Sequence, residues 1–144
     1  MLPFSQLDIS TPKPIGQGYT KLPQTIGNQI RNRRLELGLE QTEVADMISV
    51  SHNVIGILER GEMQPNSIHR PKIVQFLGYV PWPIDTKKLG GKLEHARLLK
   101  GLSMGDVAKR IGTIKTTVMR WEKNAYRPKP EVLKKLSELL QVEF

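Results

Sequence analysis

From residue 25 onward, apolar residues recur at helical spacing in short segments. Ile26, Ile30 and Leu37 mark one face of a first helix, and Gly38 supplies a C-terminal stop. Thr42–Ile48 reads as a second short helix. Ser51 then stands as an N-cap before His52–Glu59, where Ile55 and Leu58, three apart, share the buried side. Pro65 breaks the following loop, and Pro71 opens a further helix that carries Ile73, Val74 and Leu77 and is closed by Gly78. The same plan returns downstream and ends in a helix from Pro130 with Val132, Leu133, Leu136, Leu139 and Leu140 as its apolar residues. Residues 1–24 are different. Pro3, Pro12, Pro14 and Pro23 mix with Gly16 and Gly18 and no period is sustained, so an irregular arm is expected, either a plain disordered leader or a segment that docks on the body or along a groove. Tyr79–Asp85 reads as a Pro-stiffened linker in which Trp82 packs on a domain.

The return of the plan is a duplication. Shifting the sequence by 63 positions, without gaps, places Gly27 on Gly90, Arg34 on Arg97, Gly38-Leu39 on Gly101-Leu102 and Val44-Ala45 on Val107-Ala108. Ile48 meets Ile111, Glu59 meets Glu122 and Pro65 meets Pro128, while Ile30/Leu93, Ile55/Val118 and Leu58/Trp121 stay apolar. Chance scatters matches; it does not preserve both spacing and chemistry.

Two short helices around a tight turn, the second one capped, suggest a helix-turn-helix. Both copies resemble the Cro/repressor-type helix-turn-helix domains, the xenobiotic-response-element family. Copy one carries the resemblance in Ile30-Arg31, Arg34, Gly38-Leu39, Gln41, Glu43-Val44-Ala45, Ile48, Val50-Ser51, Ile55, Glu59-Arg60-Gly61 and Pro65. Copy two carries it in Leu93, Arg97, Gly101-Leu102-Ser103, Val107-Ala108, Ile111-Gly112, Val118, Trp121-Glu122 and Pro128. The resemblance implies an all-α protein of two small, four- or five-helix, lambda-repressor-like domains joined by a short Pro-rich linker. The expected divisions are an arm at 1–24, a first domain at 25–78, a linker at 79–87 and a second domain at 88–144.

A helix laid in the major groove needs one side that grips its own domain and another that offers hydrogen-bonding groups. In copy two, Val118 and Trp121 supply the first; Lys115, Thr116, Thr117, Met119 and Arg120 supply the DNA-facing set. The corresponding set in copy one is Ser51, His52, Asn53, Gly56 and Ile57, joined by Gln41, which matches the family glutamine that grips a phosphate. Arg120 suits a bidentate guanine contact, Asn53 an adenine and Ile57 a thymine methyl. Blander roles stay open: phosphate contacts for Lys115 and Arg120, phosphate or solvent for His52, and a protein partner for Ile57. Arg34 with Glu59 and Arg97 with Glu122 match internal ion pairs of the family and are assigned to holding the recognition helices. Copy two departs from the pattern with Met104 in place of Gln41 and Ile114 in place of Ser51. Copy one departs with Ser49 where the turn glycine belongs, at a cost of roughly 1 kcal/mol if that backbone is left-handed.

Charge then separates the copies. The chain is 144 residues with 22 Lys and Arg against 14 Asp and Glu, a net charge of +8. That balance points to a polyanion, nucleic acid before membrane. Residues 25–80 hold six basic and six acidic side chains, whereas 85–144 hold fourteen basic and seven acidic. Copy two is therefore expected to bind duplex DNA more tightly and with the steeper salt dependence. Copy one carries Glu40, Glu43 and Asp46 around its second helix, either a solvated face or, as in related phage repressors, a patch facing RNA polymerase. Half-sites about one helical turn apart, ~34 Å, are within reach of the linker.

No enzyme or cofactor site is expected. Cysteine is absent, which excludes disulfides and thiolate chemistry, and His52, His69 and His95 match no zinc spacing. Gly16-Gln17-Gly18 and Gly90-Gly91-Lys92 are incomplete as dinucleotide and phosphate loops. No apolar run approaches a membrane span and no secretory signal is visible, so a cytoplasmic, nucleoid-associated location is expected, with no membrane or small-molecule partner. The expected function is a DNA-binding regulator that occupies an operator, its partner double-stranded DNA. The alternative is an antitoxin-like or adaptor protein in which domain 2 binds DNA and domain 1 a protein partner or a second copy of the chain.

Overall fold

The computed structural model describes residues 25–144, and the expected arm at 1–24 lies outside them. The described residues form eight α-helices and no strand, and they divide into two compact units after Tyr79. The first unit contains α1 (Ile26–Leu37), α2 (Gln41–Ile48), α3 (His52–Glu59) and α4 (Arg70–Leu77), with a 3-10 turn at Ser67–His69 before α4. The second contains α5 (Leu89–Leu99), α6 (Met104–Ile111), α7 (Lys115–Glu122) and α8 (Pro130–Leu140).

The helices are short, so tertiary burial rather than propensity must hold them. In the first unit Ile30, Val44, Ala45, Ile55, Leu58, Ile73 and Leu77 are buried; in the second, the residues 63 positions later are buried as well. Each unit thus closes its own core with the same seven positions. Shape varies within that constraint, most of all where Leu58 is replaced by Trp121.

The backbone repeats as faithfully as the core. Every described residue with positive φ has a positive-φ counterpart in the other copy: Gly38 (68°) with Gly101 (69°), Ser49 (65°) with Gly112 (87°), Gly61 (74°) with Asn124 (61°), and Gly78 (86°) with Gln141 (57°). These are helix ends turned by a left-handed residue. Ser49 is the left-handed residue its position implied, and it carries the Cβ strain its glycine counterpart avoids.

Helix starts are where the copies diverge. Thr25 Oγ1 accepts the Asn28 amide at the start of α1, 3.1 Å. Lys88 opens α5 without a side-chain cap, and the job passes to Asn124, whose Oδ1 accepts the Gly90 N–H at 2.9 Å from 34 residues away. At α6, Ser103 Oγ accepts the Asp106 amide at 3.0 Å and the Asp106 carboxylate accepts the Ser103 amide at 2.9 Å. At α2, Glu43 accepts the Glu40 amide, 3.1 Å.

Two glycines set how closely the first helix of each unit approaches the third. A methyl on Gly27 would lie 1.9 Å from the Leu58 carbonyl oxygen, and one on Gly90 would lie 2.3 Å from that of Glu122. Gly91 makes a similar approach to the segment before α5, where a Cβ would meet the Asp85 carbonyl oxygen at 1.9 Å. The closing part of the expected 79–87 linker is therefore packed on α5. Its opening residue is tied back as well, since the Tyr79 hydroxyl lies 2.6 Å from Gln29 Oε1 on α1.

Candidate nucleic-acid interface

The second and third helices of each unit form the tight pair that presents the interface. In α7, Val118 and Trp121 face the core, which turns Lys115, Thr116 and Arg120 to solvent and leaves Thr117 and Met119 half-buried. In α3, Ile55 and Leu58 face the core; Ser51, His52 and Asn53 are exposed and Ile57 is half-buried. Gly56 departs from expectation. It is buried rather than outward, because the side chains of Arg60 and Gln41 fold over it, 3.0 and 3.5 Å from where a Cβ would stand. Helical periodicity turns the Gly56 Cα outward, and the longer side chains of Arg60 and Gln41 then cover it.

Ser51 and Ile114 both occupy N-cap positions with extended backbone, and neither provides a side-chain cap. The capping bond expected of Ser51 is thus absent. The first turns of α3 and α7 are closed by no capping side chain, an arrangement that suits anions.

A buried ion pair sits at the far end of α3 and of α7. Arg34 Nε and Nη2 donate to the two carboxylate oxygens of Glu59 at 2.8 and 2.9 Å, and Nη1 donates to the Leu39 carbonyl at 3.2 Å. Arg97 repeats the pattern on Glu122 at 2.6 and 3.0 Å and on the Leu102 carbonyl at 2.9 Å. One guanidinium therefore joins three elements, the first helix, the turn after it and the end of the third helix. Burial pushes the Glu122 carboxyl above its ordinary value; the Arg97 hydrogen bonds and charge pull the other way, and Glu94 adds to the rise.

Polar groups around α3 are largely paired among themselves. Gln41 Nε2 donates to Glu59 Oε1 at 3.3 Å, so the expected phosphate-gripping side chain leans on the ion pair. His52 Nε2 and Asp46 Oδ1 lie 2.9 Å apart. Arg60 donates to Glu62 at 2.8 and 3.2 Å; these bonds hold the Glu62 carboxyl below, and the Arg60 guanidinium above, their ordinary values. Beside α3 a groove of about 520 Å³ is bordered by Val54, Leu58, Met63 and Pro65.

Around α7 the arrangement is open and basic. Lys123, Arg127 and Lys129, all exposed, follow the helix and extend the charge of Lys115 and Arg120. Arg120 stands over the Tyr126 ring, 5.6 Å from its centroid. Met104, at the position of Gln41, packs against the core of its unit. The loop residues Lys123 to Lys129 were not among the expected site residues, although their run of charge after the recognition helix was a usable signal.

Two helix pairs of this geometry, each with an outward second helix, decide the assignment together with one comparison. The helix-turn-helix family model matches residues 30–82 and again 93–144. The chain belongs to the helix-turn-helix family. Both matched segments are of the XRE/Cro type, which makes this tandem helix-turn-helix protein DNA-binding, of the transcription-regulator kind. No curated relative and no solved structure matches the chain. Among the described residues, no helix of this helix-turn-helix protein is long and apolar enough to cross a membrane, and no group of three His, Asp or Glu side chains is placed to hold a metal ion.

Proposed function

We propose that this helix-turn-helix protein is a sequence-specific regulator that represses by occupying an operator in double-stranded DNA. The observation that carries the proposal is the outward face of α7. Its cationic and hydroxyl side chains are exposed on a helix whose opposite face is locked into the core, within a unit of fourteen basic and seven acidic residues. In this reading Lys115, Thr116 and Arg120 meet the major groove, with Thr117 and Met119 at its edge. Lys123, Arg127 and Lys129 meet phosphates and supply affinity. α3 adds Ser51, His52, Asn53 and Ile57 as a second, weaker reading face, so the preferred site is asymmetric and bipartite.

A second reading assigns the first unit to a protein partner. It is favoured by the internal pairing of Gln41 with Glu59 and of His52 with Asp46, and by the carboxylates of Glu40, Glu43 and Glu62 beside them. Phosphates approaching that edge would meet anions before cations.

Selection from a random duplex library with the whole chain, at near-physiological salt, separates the two. A bipartite motif of about 15–20 base pairs, one half of which is lost when Lys115 and Arg120 become Ala, is the expected result. A single short motif that depends on α7 alone transfers the first unit to the protein-binding reading. No enriched motif at all overturns sequence-specific binding.

A further inference from the structure

The turn after α7 carries an aromatic ring that the core does not use. Tyr126 is 60% exposed, so burial does not account for its position. The Arg120 guanidinium lies over this ring at 5.6 Å, within the range of a cation–π contact. The turn that carries the ring is well tied. The Asn124 amide donates to the Trp121 carbonyl at 3.1 Å and the Ala125 amide to the Arg120 carbonyl at 2.9 Å, the paired closure of a helix end on a left-handed residue. Asn124 Oδ1 also anchors the turn to the start of α5, and Pro128, two residues beyond the ring, is buried. The bonds that end the helix therefore place residue 126 beside residue 120.

The first unit makes the same turn without the same chemistry. There the Gly61 amide donates to the Leu58 carbonyl at 3.0 Å and the Glu62 amide to the Ile57 carbonyl at 3.1 Å. Yet the residues 63 positions back from Arg120 and Tyr126 are Ile57 and Met63, one aliphatic and one thioether. The fold needs the turn but not the pair, which marks the pair as belonging to what α7 does.

We propose that Tyr126 is a positioning residue for Arg120, holding the guanidinium plane so that its N–H fork addresses a guanine edge, and thereby sets base specificity without touching a base. An unrestrained arginine loses rotamer freedom on binding; a ring that already limits its orientation lowers that loss before DNA arrives. A guanidinium held against a ring by its π face keeps its in-plane N–H groups for O6 and N7. The inference rests on the reading of α7 as a base-reading helix.

The test uses the whole chain and the duplex obtained by selection, with a competitor duplex changed at the guanine that Arg120 reads. Arg120→Ala is expected to lower discrimination between the two duplexes by about five- to a hundredfold. Tyr126→Leu is expected to lower it by about two- to fivefold, and Tyr126→Phe, which keeps the ring, to retain it. In the Arg120→Ala background Tyr126→Leu is expected to change nothing further, and alone it should leave the salt dependence of binding as it was. Unchanged discrimination in Tyr126→Leu, or the same loss with and without Arg120, overturns the positioning role while α7 keeps its own. Full discrimination in Arg120→Ala overturns the reading of α7, and this inference with it.

Discussion

The two units share a backbone and differ in surface. Equivalent positions carry the left-handed helix ends, the bidentate Arg–Glu pair and the glycine under the recognition helix. Outward positions changed freely, His52 against Lys115 and Asn53 against Thr116, and two positions changed character, half-buried Ile57 against exposed Arg120 and exposed Gln41 against core-packed Met104. Residues retained through the duplication are those whose alteration leaves a buried group unpaired or a backbone strained, costs that no solvent exposure can relieve. Several residues that diverged, His52, Asn53, Lys115, Thr116 and Arg120, face water, where a substitution is cheap for stability. Fold and function therefore occupy separable sets of positions in this chain.

The ion pairs test that equivalence with the largest effect. Glu59→Ala or Glu122→Ala strands a buried guanidinium, so each is expected to destabilise its own unit by about 3–5 kcal/mol. Both tryptophans, Trp82 and Trp121, lie in the second unit, so tryptophan emission in urea follows that unit alone while far-ultraviolet circular dichroism follows both. Glu122→Ala should shift the emission midpoint. Glu59→Ala should leave it in place and split the dichroism transition in two. A moved emission midpoint in Glu59→Ala would mean that the units unfold together and that the comparison cannot treat them separately.

Next in size is the divided labour on DNA. Replacing Lys115 and Arg120 together by Ala is expected to weaken whole-chain binding more than replacing His52 and Asn53, with each lost phosphate contact lowering the salt slope by about 1 and each lost base contact costing about 1–3 kcal/mol. Titrations at several salt concentrations check this. Equal losses with equal slopes for the two double variants would make the units equal partners and end the division proposed between them.

How far the sequence alone reaches can be judged from single residues. The 63-residue offset, the Arg34–Glu59 and Arg97–Glu122 pairings and the left-handed Ser49 were legible because each is a local or repeated signal. Gly56 was misplaced, since periodicity orients a Cα and is blind to Arg60 and Gln41 closing over it. Asn124 as the remote cap of α5 went unread, although the offset sets it against Gly61, and asparagine is among the few residues that accept left-handed backbone readily. Tyr126 had no signal of its own; its meaning comes from the turn that delivers it to Arg120.

The Ser49/Gly112 pair offers a smaller and two-sided test. Ser49→Gly removes a left-handed Cβ but also the 2.6 Å hydrogen bond from Lys72, and glycine loosens the unfolded chain. A net gain of about 0.5 kcal/mol is expected for the first unit. Gly112→Ser imposes the strain where Lys135, 63 residues after Lys72, stands at the equivalent position. If Lys135 takes over the bond, the loss stays below about 1 kcal/mol; otherwise it reaches that value. Chemical denaturation of both variants reads the two signs directly, and a loss in Ser49→Gly would show that the lysine bond outweighs the strain.

The smallest difference concerns helix starts and their response to acid. A hydrogen bond from the Ser103 backbone amide holds the Asp106 carboxyl below its ordinary value of 3.8, against the opposing effect of burial and with help from the Ser103 hydroxyl, Arg110 and Lys109. A lowered carboxylate stabilises the folded state fully above its unfolded value and loses that contribution as pH falls through the lower folded one. Glu122 acts in the opposite sense, since its raised value makes the ionised form costly in the folded state and relieves that cost as pH falls. Comparing wild type with Asp106→Asn cancels Glu122, which both carry, and asparagine keeps an oxygen for the Ser103 amide. The stability gap between them, about 0.3–0.5 kcal/mol for so exposed a charge, is expected to hold from pH 6 to about 5, to shrink as pH falls through 3.8 and to close below the lowered folded value. Tryptophan-detected unfolding across that range measures it. A gap that persists undiminished down to about pH 2 would assign the cap to hydrogen-bond geometry alone and leave no role for charge at the start of α6.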